Sequence, residues 1–168
     1  MLLRGESETL RGLAPIIDER ARVLILGSFP STASLAAQQY YAHKQNHFWK
    51  IIGAIIERPL SGMDYAERIR AVQDAGIAIW DVYAECDRAG SLDSAIRNGK
   101  PNDLSALAGR HDLQRICFNG QAAGRFAPRL ATLGIETLIL PSTSPANAGW
   151  SFERKLAAWR EGLGSAGI

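Results

Sequence analysis

Cysteine is scarce in this chain. Cys86 and Cys117 are the only two, too few for a four-thiolate cluster and too far apart for a zinc knuckle. Cys117 lies inside the apolar run RICFNG and reads as a packed core thiol. His47 and His111 have no partners at metal-ligand spacing, so no metal and no cofactor is expected. The opening residues, MLLRGESETL, lack the long apolar core of a signal peptide, and no run approaches membrane-spanning length. A reduced, cytoplasmic setting without membrane contact is the expectation. Charge of either sign is also in short supply as an excess: 19 basic against 17 acidic residues leave a net +2. Any contact with nucleic acid therefore has to come from a local patch.

Repeats, low-complexity blocks and linkers are absent too, and residues 1–168 fit a single domain long enough to bury a core. What remains is a regular alternation. Four short apolar runs read as buried parallel strands: RVLILG (22–27), IAIWDV (77–82), QRICFNG (114–120) and ETLILPS (136–142). Helical patterns fall at 48–56, 64–76, 92–99, 120–134 and 151–164. The alternation predicts an α/β fold, a three-layer α/β/α sandwich around a four-stranded parallel sheet with right-handed crossovers. Ligands in such folds bind beyond the carboxyl ends of the strands. The segments leaving those ends, GSFPS, DVYAECDRAGSLD, FNGQAAG and PSTSPAN, hold the concentration of small and polar residues.

Gly27-Ser28-Phe29-Pro30-Ser31 allows close backbone approach, and Pro30 stiffens the turn. The turn has neither P-loop nor dinucleotide-loop spacing. Downstream, Tyr40 and Tyr41 precede AHKQNHFW. A tyrosine here offers either a stacking surface for a base or a core ring. Asn46 occupies the N-cap position of the helix that Phe48 and Trp49 begin, with Trp49 at N3. Its amide suits capping, positioning a water, or both. Near the chain end, LPSTSPAN holds Ser142, Thr143 and Ser144 between two prolines, with Asn147 following. Stiffly held hydroxyls and free backbone N–H groups suit phosphate oxygens.

Together these segments resemble the uracil-DNA glycosylase superfamily. The stretch A-H-x-x-N-x-F-W behind a G-x-x-P turn is similar to its mismatch-specific branch. The words GSFPS, YYAH, NHFW, DV…GSLD and LPSTSPAN look most like the hypoxanthine-DNA (deoxyinosine) glycosylase branch, from about Arg22 to Trp159. Two departures matter. The mismatch-specific branch carries a water-activating asparagine two residues after the turn glycine, where this chain has Phe29; the resemblance implies that the chemistry moves to Asn46. Lys44 stands where the pattern has proline, which suggests a phosphate contact rather than Schiff-base chemistry.

The resemblance implies a cofactor-free hydrolysis by a monomer on DNA whose deaminated base is flipped out. Asn46 would hold the attacking water, while His43 or the Ser28 and Phe29 N–H groups would stabilise the departing base. Tyr41 and Phe29 would stack on the base. Asp81, where uracil-specific relatives place a base-reading amide, would accept the N1–H of hypoxanthine or else order its own loop. Ser31, Lys44, Ser142, Thr143, Ser144 and Asn147 would meet the DNA, with Asn147 or Trp150 as the wedge. Asn119 and Gly120 read as turn geometry. Three rivals predict other outcomes: uracil excision gives dominant uracil release, a nucleoside hydrolase turns over free inosine, and a non-catalytic binder shows salt-dependent affinity without abasic product.

Overall fold

The computed structural model describes residues 9–109 and 112–168; His111 lies outside the described residues. In chain order the elements are β1 (Leu10–Arg11), β2 (Val23–Gly27), α1 (Thr32–Ala37), α2 (Phe48–Ile56), α3 (Tyr65–Asp74), β3 (Ile77–Asp81), β4 (Tyr83–Asp87) and β5 (Arg97–Pro101). They continue with α4 (Leu104–Gly109), β6 (Arg115–Asn119), α5 (Gln121–Gly124), α6 (Ala127–Leu130), β7 (Glu136–Leu140) and α7 (Phe152–Gly164). No helix among the described residues is long and apolar enough to cross a membrane.

The four predicted strands form one parallel sheet in the order β3-β2-β6-β7. Successive side chains of a strand face opposite ways, and β2 uses both faces. Val23 and Ile25 pack with Phe48, Ile52, Val72 and Trp159 of α2, α3 and α7. Leu24 and Leu26 pack with Leu104 of α4, Ala123 of α5, Leu130 of α6 and Phe126 between the last two. Helices on both faces make the three layers. The chain turns from β2 to β3 on one side and later adds β6 on the other, so the strand order reverses between β2 and β6. A crevice opens at such a switch point.

A second sheet went unpredicted: β1-β4-β5, antiparallel throughout. Only Val82 separates β3 from β4, and Val82 N–H and Tyr83 N–H donate to the Gly27 and Ser28 carbonyls at 2.8 and 3.1 Å. The small sheet is thereby tied to the turn after β2. The helix expected over 92–99 is instead a 3-10 turn, Asp93–Ala95, running into β5. Asn98 is left-handed at φ 52°, which interrupts a right-handed helix, and Gly99 lets β5 lie against the Tyr83 ring, where a side chain would collide. The single helix expected over 120–134 is broken into α5, α6 and a 3-10 turn. Pro128, in the first turn of α6, has no N–H to continue a helix running in from α5.

A G-x-G-x-x-G spacing does occur at 162–167, but it closes α7 and follows no strand. The dinucleotide fingerprint needs the opposite placement, between a strand and the start of a helix.

Candidate active site

A cavity of about 420 Å³ opens at the switch point. It draws on the β2 turn, the Tyr40–Asn46 segment, Asp81 at the end of β3, Ser91–Asp93, Asn119–Ala122 after β6, and the loop after β7 as far as Trp150.

Gly27 permits the tightest approach. A Cβ there would stand 2.5 Å from Asp81 Oδ1 and 3.1 Å from the Tyr41 hydroxyl, closer than real side chains tolerate. Asp81 is 4% exposed, and its Oδ2 has no hydrogen-bond partner. Burial pushes its carboxyl up to about 7; Asp93 adds to the rise and Arg88 opposes it. An unpaired, nine-tenths buried carboxylate is costly unless something supplies its missing partner.

Ser28 Oγ donates to Asp93 Oδ1 at 2.5 Å. That hydroxyl proton is therefore engaged, and the oxygen lone pairs remain to accept. Behind the turn, Arg88 is buried. Its Nη2 donates to the Pro30 carbonyl and its Nε to the Gly90 carbonyl, while its guanidinium carbon stands 5.2 Å from the Phe29 ring centroid. Phe29 lines the cavity but is largely buried. Ser31 is the N-cap of α1, its Oγ accepting from Ser34 N–H at 3.1 Å. Ser34 Oγ in turn accepts from Ala42 N–H, which ties the helix to the tyrosine segment.

Tyr41 is left-handed at φ 54°. Its ring stacks on Phe48 with centroids 3.9 Å apart, and its hydroxyl accepts from Asn119 Nδ2 at 3.2 Å. Burial first, then the Asp81 charge, raises its phenol and keeps it neutral. Tyr40 is deeper and anchors the segment through its hydroxyl to the Ala14 carbonyl. Asn46, expected at the N-cap, lies one residue before it. α2 begins at Phe48, so the N-cap is His47, which makes no side-chain capping bond. Asn46 Oδ1 nevertheless accepts from Phe48 N–H at 2.9 Å. A carbonyl oxygen has a second lone pair, and the Asn46 Nδ2 makes no hydrogen bond among the described residues, so the amide retains capacity toward the cavity it lines. His43 and Lys44, by contrast, are exposed and outside the cavity lining; His43 Nδ1 accepts from Gln45 N–H.

The loop after β7 is held from beneath. Asn119 Nδ2 donates to Thr143 Oγ1 at 2.9 Å, and its Oδ1 accepts from Thr143 N–H at 3.0 Å. The Thr143 carbonyl accepts from His47 N–H. Thr143 is 0% exposed, so it organises the loop from within. Ser142 Oγ accepts from Ser144 N–H, and Asn147 Nδ2 donates to the Ser142 carbonyl at 3.0 Å. Below it, buried Lys155 places Nζ 3.4 Å from His47 Nδ1 and 3.4 Å from the Ser144 carbonyl. Trp150 lines the cavity, with the Arg154 guanidinium 3.7 Å from its ring centroid.

Thus Ser28, Phe29, Ser31, Tyr41, Asn46, Asp81 and the Ser142–Asn147 loop converge on one cavity, while His43 and Lys44 do not. Sequence reasoning missed Asp93, Ser91, Arg88 and Lys155. The signal for Asp93 was present in GSLD, but a helix over 92–99 directed it elsewhere. Asn119 was read as turn geometry, whereas its amide joins Tyr41 to Thr143.

The model of the uracil DNA glycosylase superfamily matches residues 14–162. A hypoxanthine DNA glycosylase of Methanosarcina acetivorans is 40% identical over 146 residues, 86% of this chain and 92% of the relative. Its namesake in Methanosarcina barkeri is 37% identical over 152 residues, 90% and 96% of the two chains. A solution NMR structure of a candidate uracil DNA glycosylase from Methanosarcina acetivorans superposes with a TM-score of 0.81 at 38% identity, covering 92% of this chain and 98% of that one.

Proposed function

Because the chain belongs to the uracil DNA glycosylase superfamily, we propose that it is a monofunctional DNA glycosylase, acting as a cytoplasmic monomer, that hydrolyses the N-glycosidic bond of deaminated bases, hypoxanthine first. The observation that carries this reading is the cavity itself: a buried carboxylate oxygen without a partner at one wall and an asparagine amide with spare hydrogen-bonding capacity at another. The names of the two curated relatives support hypoxanthine as the first substrate.

The base enters only after flipping from the stack, which costs a few kcal/mol and is easiest at mismatched or single-stranded sites. Hypoxanthine presents an N1–H donor, and Asp81 Oδ2 accepts it, supplying the partner that the buried oxygen lacks. Adenine offers an acceptor at N1 and is repelled. Guanine shares the N1–H, so its 2-amino group has to be excluded by the close walls around Gly27. Tyr41 and Phe29 border the base, although one face of Tyr41 is already covered by Phe48.

As the C–N bond breaks, the sugar becomes oxocarbenium-like and the base departs with negative charge. The Ser28 and Phe29 backbone N–H groups, which have no partners among the described residues, stabilise it. Asn46 holds the attacking water. No lysine among the described residues lines the cavity, which supports hydrolysis by water over an imine intermediate. Ser31, Ser142, Ser144 and Asn147 face the DNA backbone around the mouth, while Thr143 holds the loop in shape.

The test is alkali-revealed cleavage of single- and double-stranded oligonucleotides containing hypoxanthine, uracil or xanthine, wild type beside Asn46→Ala. The expected outcome is preferential cleavage at hypoxanthine and a loss of about a hundredfold or more in the variant, in the range for removal of a group that positions a reactant. Dominant uracil release overturns the base ranking. Undiminished cleavage by Asn46→Ala moves the water to another residue, and absence of cleavage by wild type overturns the activity.

A further inference from the structure

Beside the main cavity lies a second one of about 220 Å³, lined by Tyr83, Asp93, Ile96, Ala122, Arg125, Phe126 and Arg129. The two share Asp93 and Ala122, so the second continues the first past a common wall. Its chemistry differs. Two arginines from the broken α5–α6 segment border it, and neither guanidinium makes an ion pair or hydrogen bond among the described residues. The Arg129 guanidinium carbon sits 4.8 Å from the Phe126 ring centroid. Phe126 is itself buried and meets Tyr83 edge-on, with centroids 5.2 Å apart and planes at 89°. One guanidinium thus rests on a firm aromatic floor while both keep their N–H donors free.

The position is as informative as the charge. α5 and α6 pack on one face of the parallel sheet, whereas the Ser142–Asn147 loop leads into α7 on the other. The arginine cleft and the Ser/Pro loop therefore flank the main cavity from opposite sides. A strand that places one nucleotide in the cavity has to leave the mouth in both directions. Planar, permanently charged guanidiniums match phosphate oxygens. Asp93 stands in the dividing wall with its carboxylate turned to Ser28, and its charge keeps a phosphate out at the arginines rather than deep against the wall.

We infer that the Arg125–Arg129 cleft is a backbone subsite that binds phosphate of the DNA strand beside the flipped nucleotide, opposite the Ser/Pro loop. The inference rests on the DNA glycosylase reading above. It gives a chain of nearly neutral net charge the local patch that nucleic-acid binding requires.

The experiment measures binding of a single-stranded oligonucleotide carrying a tetrahydrofuran abasic analogue, by fluorescence anisotropy from 50 to 200 mM salt. Wild type is compared with Arg125→Gln/Arg129→Gln and with a control of equal charge loss, Arg70→Gln/Arg160→Gln. The control residues are exposed on α3 and α7 and line neither cavity. Each lost phosphate contact lowers the slope of log K against log salt by about 0.7 on a single strand. The cleft variant is expected to lose about 1.4 from that slope and to bind about tenfold more weakly, with the control near wild type. Single-turnover excision from a hypoxanthine-containing oligonucleotide at saturating enzyme is expected to stay within about threefold of wild type in the cleft variant. An unchanged slope in the cleft variant, or an equal loss in the control, overturns the subsite. Wild type that binds the abasic-analogue oligonucleotide but releases no base from one containing hypoxanthine removes the glycosylase reading while the slopes still decide the cleft. Wild type that binds no DNA overturns both.

Discussion

The two sheets contribute to the same cavity in opposite ways. The parallel sheet supplies Gly27, Asp81 and Asn119 from the ends of strands packed between helices, and Leu140 from the end of the more open β7. The antiparallel sheet supplies Ser91, Leu92 and Asp93 from a connection between β4 and β5, and β5 is exposed along its whole length. A group from the first sheet is coupled to global packing. A group from the second is coupled mainly to the turn it touches. Substitutions of similar chemistry at the two places should therefore divide between loss of stability and loss of activity.

The largest effect on the fold is expected at Asn119. Asn119→Ala removes both bonds to Thr143, leaving a fully buried N–H and hydroxyl without their partner, and frees the Tyr41 hydroxyl as well. An unsatisfied buried group costs about 1–3 kcal/mol, or roughly 2–10 °C in Tm for a chain of this size. Excision should fall with it, because the Ser/Pro loop loses its underside support. A thermal melt beside a cleavage assay checks both. A Tm within 1 °C of wild type would mean that the loop is held by Lys155 and the Trp159 indole, whose Nε1 donates to the Pro141 carbonyl, rather than by Asn119.

Asp93→Ala should do the reverse. Its carboxylate bonds Ser28 from an exposed 3-10 turn, so Tm should move by no more than about 2 °C. The Ser28 hydroxyl loses its charged acceptor, an interaction in the range of about 1.5–3 kcal/mol. If that energy is expressed in the transition state, kcat/KM for hypoxanthine falls about ten- to a hundredfold. A melt that drops as far as that of Asn119→Ala would break the comparison between the sheets.

The same contrast explains what could be read in the sequence. Runs such as VLILG and IAIWD announce buried strands because packing on both faces demands continuous apolar, β-branched residues. Their register then delivers Gly27 and Asp81 side by side. The segment RNGKP gives no such signal: it is an exposed edge strand without alternation, and its flanks mimic a helix. Misreading it hid Asp93. The resemblance put His43 at the departing base and read Lys44 as a phosphate contact. The left-handed turn at Tyr41 and the bond from Asn46 N–H to the His43 carbonyl carry that stretch along the surface. That takes His43 out of the cavity lining and leaves Lys44 exposed.

Asp81 sits where the two sheets meet, and its titration offers the finest test. Its ordinary value near 3.8 is raised to about 7, by burial first and by Asp93 second, against Arg88; Tyr40 and Tyr41 feel its charge as neutral phenols. The folded protein therefore holds this proton more tightly than the unfolded chain, and stability attributable to Asp81 falls as pH rises from about 4 toward 7. A carboxylate that accepts N1–H has to be ionised, so kcat/KM for hypoxanthine should rise through about pH 7 while stability declines below it. Asp81→Asn is expected to flatten both trends, since the amide neither titrates nor carries a buried charge. Asp93→Ala should keep the activity profile but move its midpoint to lower pH, because the like charge that disfavours ionisation is gone. A midpoint that stays in place in Asp93→Ala would mean that burial alone sets the Asp81 proton, and that the antiparallel sheet acts on the base through Ser28 only.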